Sequence, residues 1–471
     1  MARPGVRIAS KILQEVRAVA WNTTGRLAMI NAPMLASEFD VVVVGSGSSG
    51  ASAALAAARE GAKVCLLERS SFLGGTSTAV LDTFYGFYTP GVHSLKVVGG
   101  IGDDVVDRLK RLDRVVERPN SYGAGLGITY HPDYLKCAWE QLVLEAGVTV
   151  FLNCWVQDVE LDSDCIVSVI VATKRGLARV AGRTFVDASG DADLCFWSGS
   201  PHVTAGEHEE AQSLTTTFRM CNVDAIARKV VDLEYLHSAM TKAAEAGYAL
   251  PRREGSDHAT TVEGVFATNM TRIQSFERRA SVVINATDPK FLSDAEIEGR
   301  RQALEYIRFL RDYIPGYRNA GLAALAPQIG IREARRIIGD YVLTREDVLT
   351  ARQFDDQIGL CGAPIEDHGA GNRTKWVYLP ESKCVGIPYR ALLPQRLTNV
   401  LVAGRCFSAT HDAHASVRSM AQCMAMGQAA GTAAALCALT GKDTRSLSFS
   451  ALRQRLVASH AVLSVEAEVT Q

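Results

Sequence analysis

The first strong pattern along the chain is a β-branched apolar run, Phe39-Asp40-Val41-Val42-Val43-Val44, which predicts a buried strand. An alanine-rich stretch over 51–60 predicts a helix that stops at Gly61, and 63–67 predicts a second strand ending at Glu68. Four more strand-like runs follow at 148–152, 156–161, 166–173 and 177–180, and another, 184–187, leads into Ala188-Ser189-Gly190-Asp191. From 206 to 353 the pattern is mixed. Helical periodicity over 224–247, 293–313 and 332–341 is interleaved with strand-like pieces at 213–220, 264–268 and 281–285. Near the C-terminus 399–402 predicts a strand, and 416–439 predicts one long helix containing Gly427 and Gly431. The order implies an α/β fold with an α+β insertion.

The turn between the first strand and helix carries the chemistry. Gly45-Ser46-Gly47-Ser48-Ser49-Gly50 lies there, and Glu68 follows about 20 residues later at the end of the second strand, the spacing of a dinucleotide-binding unit. Gly45 permits a tight turn, Gly47 lets backbone amides approach a pyrophosphate, and Gly50 lets helix and strand pack. The helix N-terminus favours the anion. Glu68 is placed to accept hydrogen bonds from ribose hydroxyls, and its charge repels a 2′-phosphate, which argues against NADP. The chain contains one such unit, so a second domain for a nicotinamide cofactor is not expected.

Charge and cysteine usage narrow the partners. Lys and Arg total 50 against 51 Asp and Glu, a net charge of −1, so the chain has neither the basic footprint of a nucleic-acid binder nor a polybasic membrane anchor. A small molecule is the expected partner. The apolar runs read as too short and too interrupted to span a membrane. Eleven cysteines, an odd number with no CxxC, exclude zinc-ribbon, iron–sulfur and dithiol signatures and predict reduced thiols in a cytoplasmic protein. Residues 1–37 form a basic arm (Arg3, Arg7, Lys11, Arg17, Arg26) expected to pack on the surface or on a second copy in a homo-oligomer.

Directly beyond Glu68 and Arg69 comes a second glycine loop, Leu73-Gly74-Gly75-Thr76. With this loop, the strand run closing at Ser189-Gly190-Asp191, and the late strand ending Gly404-Arg405 and leading through Ser408 to His411, the sequence resembles a family of FAD-dependent oxidoreductases. These have the glutathione-reductase-type FAD fold and are related to the fumarate reductase and succinate dehydrogenase flavoproteins. The resemblance covers about residues 38–440. It implies a Rossmann-like FAD-binding domain with a β-meander insertion and an α+β substrate or cap domain. The implied boundaries are 38–205 and 375–445 for a discontinuous FAD domain, 206–374 for the cap and 446–471 for a tail. FAD is the implied cofactor, held by Gly45, Ser46, Gly47, Ser49, Gly50, Glu68, Arg69, Gly74, Gly75, Thr76, Ser189, Gly190, Asp191, Gly404, Arg405 and Ser408. Small residues of the closing helix, Gly427 and Gly431 among them, would let its backbone lie against the flat ligand.

The implied reaction is hydride transfer between a small organic substrate and flavin N5, a dehydrogenase or reductase activity with its second electron partner unspecified. Such chemistry needs a base and a cationic anchor. His411 and His414 follow the cofactor strand and are the candidate bases; no third ligand lies near them in sequence, so no metal is expected. Arg335 and Arg418 are the candidate anchors, Arg335 sharing one predicted helix face with Arg332 and Arg336. His131 with Asp133, and His368, stand second. The alternatives are a flavin monooxygenase, although the cofactor strand ends in Gly404-Arg405 where aromatic hydroxylases usually have Gly-Asp, and a flavin-binding subunit without substrate chemistry of its own.

Overall fold

The computed structural model describes residues 32–280, 282–369 and 374–465; the basic-arm expectation for residues 1–31 lies outside them. The β-branched run becomes β1 (Met34–Val44), followed by α1 (Ser48–Arg59), β2 (Val64–Leu67) and β3 (Thr149–Phe151). Then come β4 (Trp155–Asp162), β5 (Cys165–Thr173) and β6 (Gly176–Asp187). The seven-stranded sheet runs β3-β2-β1-β6-β5-β4, and the late strand β11 (Val400–Val402) pairs with β6. β1 pairs in parallel with β2 (Val41 opposite Val64) and with β6 (Val41 opposite Thr184).

Two predicted runs, 177–180 and 184–187, are one strand. The first half of β6 (176–181) pairs antiparallel with β5 and its end (185–187) parallel with β11, while β1 pairs in parallel with it from Arg179 to Asp187. One strand therefore joins the β-meander to the parallel core.

The cap contributes a four-stranded antiparallel sheet in the order β8 (Asp257–Ala259), β9 (Phe266–Thr268), β7 (Phe218–Cys221), β10 (Gly321–Leu325). α2 (Pro289–Tyr313) packs with it, burying Ala303, Tyr306, Ile307 and Leu310 against Phe218, Met220 and Met240. The predicted helix 224–247 is two helices, Ala225–Lys229 and Leu233–Glu245, because Asp224 and Asp232 each cap a new N-terminus with a side-chain carboxylate.

Residues 332–341 do not form the predicted helix. Arg335–Ile337 is a short strand opposite His202–Thr204, so side chains alternate between faces and the arginines separate.

The predicted closing helix is also broken. It forms α3 (His411–Val417) and α4 (Met420–Thr440), with Ser419 in extended conformation between them. Gly427 and Gly431 lie against α1, not against a ligand: a Cβ on either would sit 2.1 Å from the carbonyl oxygens of Ser49 and Ala53 respectively. Small residues here let two helix backbones touch. α4 is also long and apolar enough to cross a membrane, contrary to the reading of the sequence, but 78% of its apolar window is buried inside the fold. Beyond it, the helix Phe449–Ala458 packs into the core through the fully buried Leu452 and Leu456.

Candidate functional site

A cavity of about 330 Å³ runs from the glycine turn after β1 to the seam between the large sheet and the cap. Gly45 has φ +91°, and a side chain there would meet the Ala188 carbonyl oxygen at 2.4 Å; a Cβ on Gly50 would lie 1.8 Å from the Gly45 carbonyl oxygen. These two glycines let the turn close on the sheet. Gly47 has open space where a side chain would point and caps α1 without a side-chain hydrogen bond, and the first turn of α1 lines the cavity. That leaves helix N–H groups available to an anion.

Glu68 is buried beside this turn. Its Oε2 accepts hydrogen bonds from the Ser46 amide (2.9 Å) and hydroxyl (2.6 Å), and its Oε1 from the Ser70 amide (2.7 Å). The second glycine loop is tied to the first because the Gly74 amide donates to the Ser46 carbonyl at 2.9 Å.

Of the residues expected to hold the cofactor, Gly45, Ser46, Gly47, Ser49, Glu68, Arg69, Gly75, Thr76, Ser189, Gly190 and Arg405 line the cavity. The others act behind that wall. Gly50 and Gly74 shape the turns, Asp191 ion-pairs with Arg405 at 3.0 Å, and a Cβ on Gly404 would strike the Ser49 hydroxyl at 2.4 Å. Ser408 is removed from the ligand-facing set: fully buried, it accepts the Gly339 amide at 3.0 Å and holds that loop.

The far half of the cavity is lined by Asp82, Arg118, Arg219 and His258, and by Arg252, Arg332, Glu366, His368 and Arg418. His258, on β8 of the cap, places Nε2 2.9 Å from Oδ1 of Asp82, which follows the second glycine loop. Among the described residues His258 makes no other hydrogen bond, so Nδ1 is uncommitted. Burial alone would raise the Asp82 carboxyl, but His258, Arg219 and Arg118 hold it down at about 2.

Arg418 is partly buried where α3 gives way to α4, with its Nε and Nη2 buried and unpartnered. Nearby, Arg332 donates to the Ser213 carbonyl at 2.7 Å, and burial, reinforced by the Arg418 charge, lowers it to about 9. His368 is held by Glu366 (2.8 Å) and Thr374 (3.1 Å) and is pushed down to about 3 by burial and by Arg332, so it stays neutral.

Three of the four expected catalytic side chains lie off this cavity. His411 is buried between carboxylates, Nδ1 2.9 Å from Glu333 and Nε2 3.3 Å from Asp367. Burial opposes its charge, but Asp367 and Glu333 raise it to about 10, so it is a fixed imidazolium. His414 is fully buried, donates from Nε2 to the Arg405 carbonyl at 2.8 Å, and is driven far down by burial. It is neutral and supports the Arg405 backbone. Arg335 pairs with Asp193 at 2.9 Å and lies 4.1 Å over the Phe196 ring. Arg336 pairs instead with Glu333 and Glu209. His131 caps the helix Pro132–Glu145, accepting the Asp133 amide, and packs edge-on against Tyr134.

The local spacing near His411 offered no third metal ligand, yet the fold brings Glu333 and Glu209, and Asp367 and Asp412, within 4.8 Å of one another around it. In the structure these carboxylates are engaged in ion pairs with His411, Arg336 and Arg345.

The family model for FAD dependent oxidoreductases matches residues 40–456. The chain belongs to that family. A search of the curated proteins returns no match. Among solved structures, the flavoprotein is similar to a geranylgeranyl bacteriochlorophyll reductase-like protein from Thermoplasma acidophilum, at 12% identity over 91% of this chain and 85% of that one, TM-score 0.46. It is also similar to a flavin-dependent brominase (14% identity, 88% and 83% covered, TM-score 0.47). A p-nitrophenol 4-monooxygenase from Pseudomonas putida is a third (12%, 90% and 84%, TM-score 0.43). Likenesses this distant carry nothing about substrate.

The residues present fit FAD. The uncapped start of α1 and the unpartnered, buried Nη1 of Arg405 suit a pyrophosphate, Glu68 suits a ribose, and the N-terminus of α4 suits the electron-rich end of a flavin ring. Because a Cβ at Gly50 has no room, Gly50→Val is expected to purify with little or no flavin; near-stoichiometric FAD absorbance in that variant would contradict the packing argument.

Proposed function

We propose that the flavoprotein is a dehydrogenase or reductase acting on a small organic substrate that carries a carboxylate or similar anionic group. When bound, FAD supplies a ring able to take up or return a hydride. The chain's own residues supply the rest. The observation that carries this reading is Arg418, a partly buried side chain at the cavity wall whose Nε and Nη2 are buried and left without partners. Such a charge is costly unless an anion completes it. Arg332 and Arg252 line the same region, and the fork geometry of arginine suits a carboxylate.

His258 and Asp82 handle the proton. With Asp82 ionised, Nε2 of His258 keeps its hydrogen as donor to the carboxylate, so Nδ1 presents the lone pair that removes a substrate proton. Asp82 comes from the dinucleotide-binding part and His258 from the cap, so the pair exists only when the two pack together.

The test is anaerobic mixing of the yellow protein with hydroxy acids, amino acids, unsaturated acids, and uncharged alcohols and amines. The expected result is bleaching by one anionic class without added nicotinamide or oxygen. No bleaching by any member, together with oxygenation of an aromatic substrate that requires NAD(P)H and O₂, would replace this reading with the monooxygenase alternative.

A further inference from the structure

Trp155 opens β4 and lines the cavity, yet the residue is 53% exposed. A half-exposed tryptophan is a large apolar surface left without a partner. Its cross-strand neighbour is Ala172, too small to cover an indole. Among the described residues no aromatic ring stacks on it; the one cation near its ring is Arg69, 5.7 Å from the centroid. That distance makes a loose pair.

The position of Trp155 is set by its neighbours. The Cys154 amide donates to the Glu68 carbonyl at 2.9 Å and the Asn153 amide to the Ser70 carbonyl at 3.0 Å. The indole is therefore anchored beside the carboxylate suited to the adenosine ribose. Adenine is bonded directly to that ribose, so a ribose held at Glu68 puts the base beside Trp155 and Arg69.

We propose that Trp155 is the platform on which the adenine ring of FAD stacks, with Arg69 closing over the stack. Every base offers a π-face, so this contact adds affinity without hydrogen-bond readout. It makes the site depend on the adenosine half of the cofactor, and so selective for FAD over FMN. The proposal rests on FAD being held through Glu68 and is independent of the substrate reading.

The experiment titrates the full-length, flavin-stripped protein with FAD, FMN and ADP, following flavin and tryptophan fluorescence. It compares wild type, Trp155→Ala and Trp155→Phe and records the apo-protein melting temperature of each. Trp155→Ala is expected to weaken FAD and ADP about ten-fold or more, to leave FMN as in wild type, and to leave apo-protein melting unchanged. Trp155→Phe should recover most of the loss, since a smaller ring still stacks. Unchanged FAD affinity in Trp155→Ala overturns the proposal. So does an equal loss for FAD and FMN, or a loss that phenylalanine does not recover, since either assigns Trp155 to strand structure alone.

Discussion

His258→Ala lowers substrate-driven flavin reduction by about 10²–10⁴-fold, the range removed with a positioned acid–base group, while flavin content and absorption stay as in wild type. The second statement follows from position: His258 belongs to the cap sheet and meets Asp82, whereas the turn after β1, Glu68 and Arg405 line the other half of the cavity. Asp82→Asn is expected to lose nearly as much. An amide facing Nε2 favours the tautomer with the hydrogen on Nδ1, and the lone pair pointed at substrate disappears. Stopped-flow reduction under anaerobic conditions is the measurement, made on both variants beside wild type. A His258→Ala enzyme that keeps the wild-type rate would return the proton step to another group.

Glu333→Ala is expected to destabilise the fold by about 3–5 kcal/mol, the usual cost of removing one partner from a buried ionic cluster. The Glu333 side chain is fully buried between the His411 imidazolium and Arg336, and each cation would keep only its more exposed partner, Asp367 for His411 and Glu209 for Arg336. Its carboxyl would be raised by burial, but His411, His414 and Arg336 hold it at about 2.

The pH dependence follows from the two shifts. His411 is raised from 6.5 to about 10, so its contribution is complete below 6.5 and lost as pH rises through 10. Glu333 is lowered from 4.5 to about 2, so its contribution is complete above 4.5 and lost as pH falls towards 2. The gap between wild type and Glu333→Ala in denaturant midpoint should therefore be widest between about pH 4.5 and 6.5 and shrink steadily towards pH 10. A gap that does not change with pH would mean that the loss reflects packing alone.

How far the chain order could be read depended on the range of each interaction. The β-branched run, the glycine turn, the alanine-rich helix and Glu68 lie within 30 residues, and each obeys a local rule. Strand periodicity, the room a glycine leaves and the reach from one strand end to the next need no knowledge of the rest of the molecule. That was enough for the dinucleotide cradle and, through the loop Gly74-Gly75-Thr76, for the cofactor. Most residues expected to face the ligand do line the cavity; of those that do not, Gly50 leaves room for the Gly45 carbonyl within the turn, and Gly404 leaves room for the Ser49 side chain, a contact visible only in the fold.

The half of the cavity lined by Asp82 and His258 had no such local signature. Asp82 and His258 are 176 residues apart and meet through the packing of two sheets; β8, which carries His258, is three residues long and gives almost no periodic signal. Helical spacing put Arg332, Arg335 and Arg336 on one face, but pairing of Arg335–Ile337 with His202–Thr204 imposed a strand and sent each guanidinium to a different partner. Likewise His411 sits where a base was expected along the chain, yet Glu333 and Asp367, 78 and 44 residues away, turn it into a fixed cation. Local sterics are written in consecutive residues and suffice for the cradle. The electrostatic role of a side chain depends on which distant charges share its burial, and only the tertiary structure decides that.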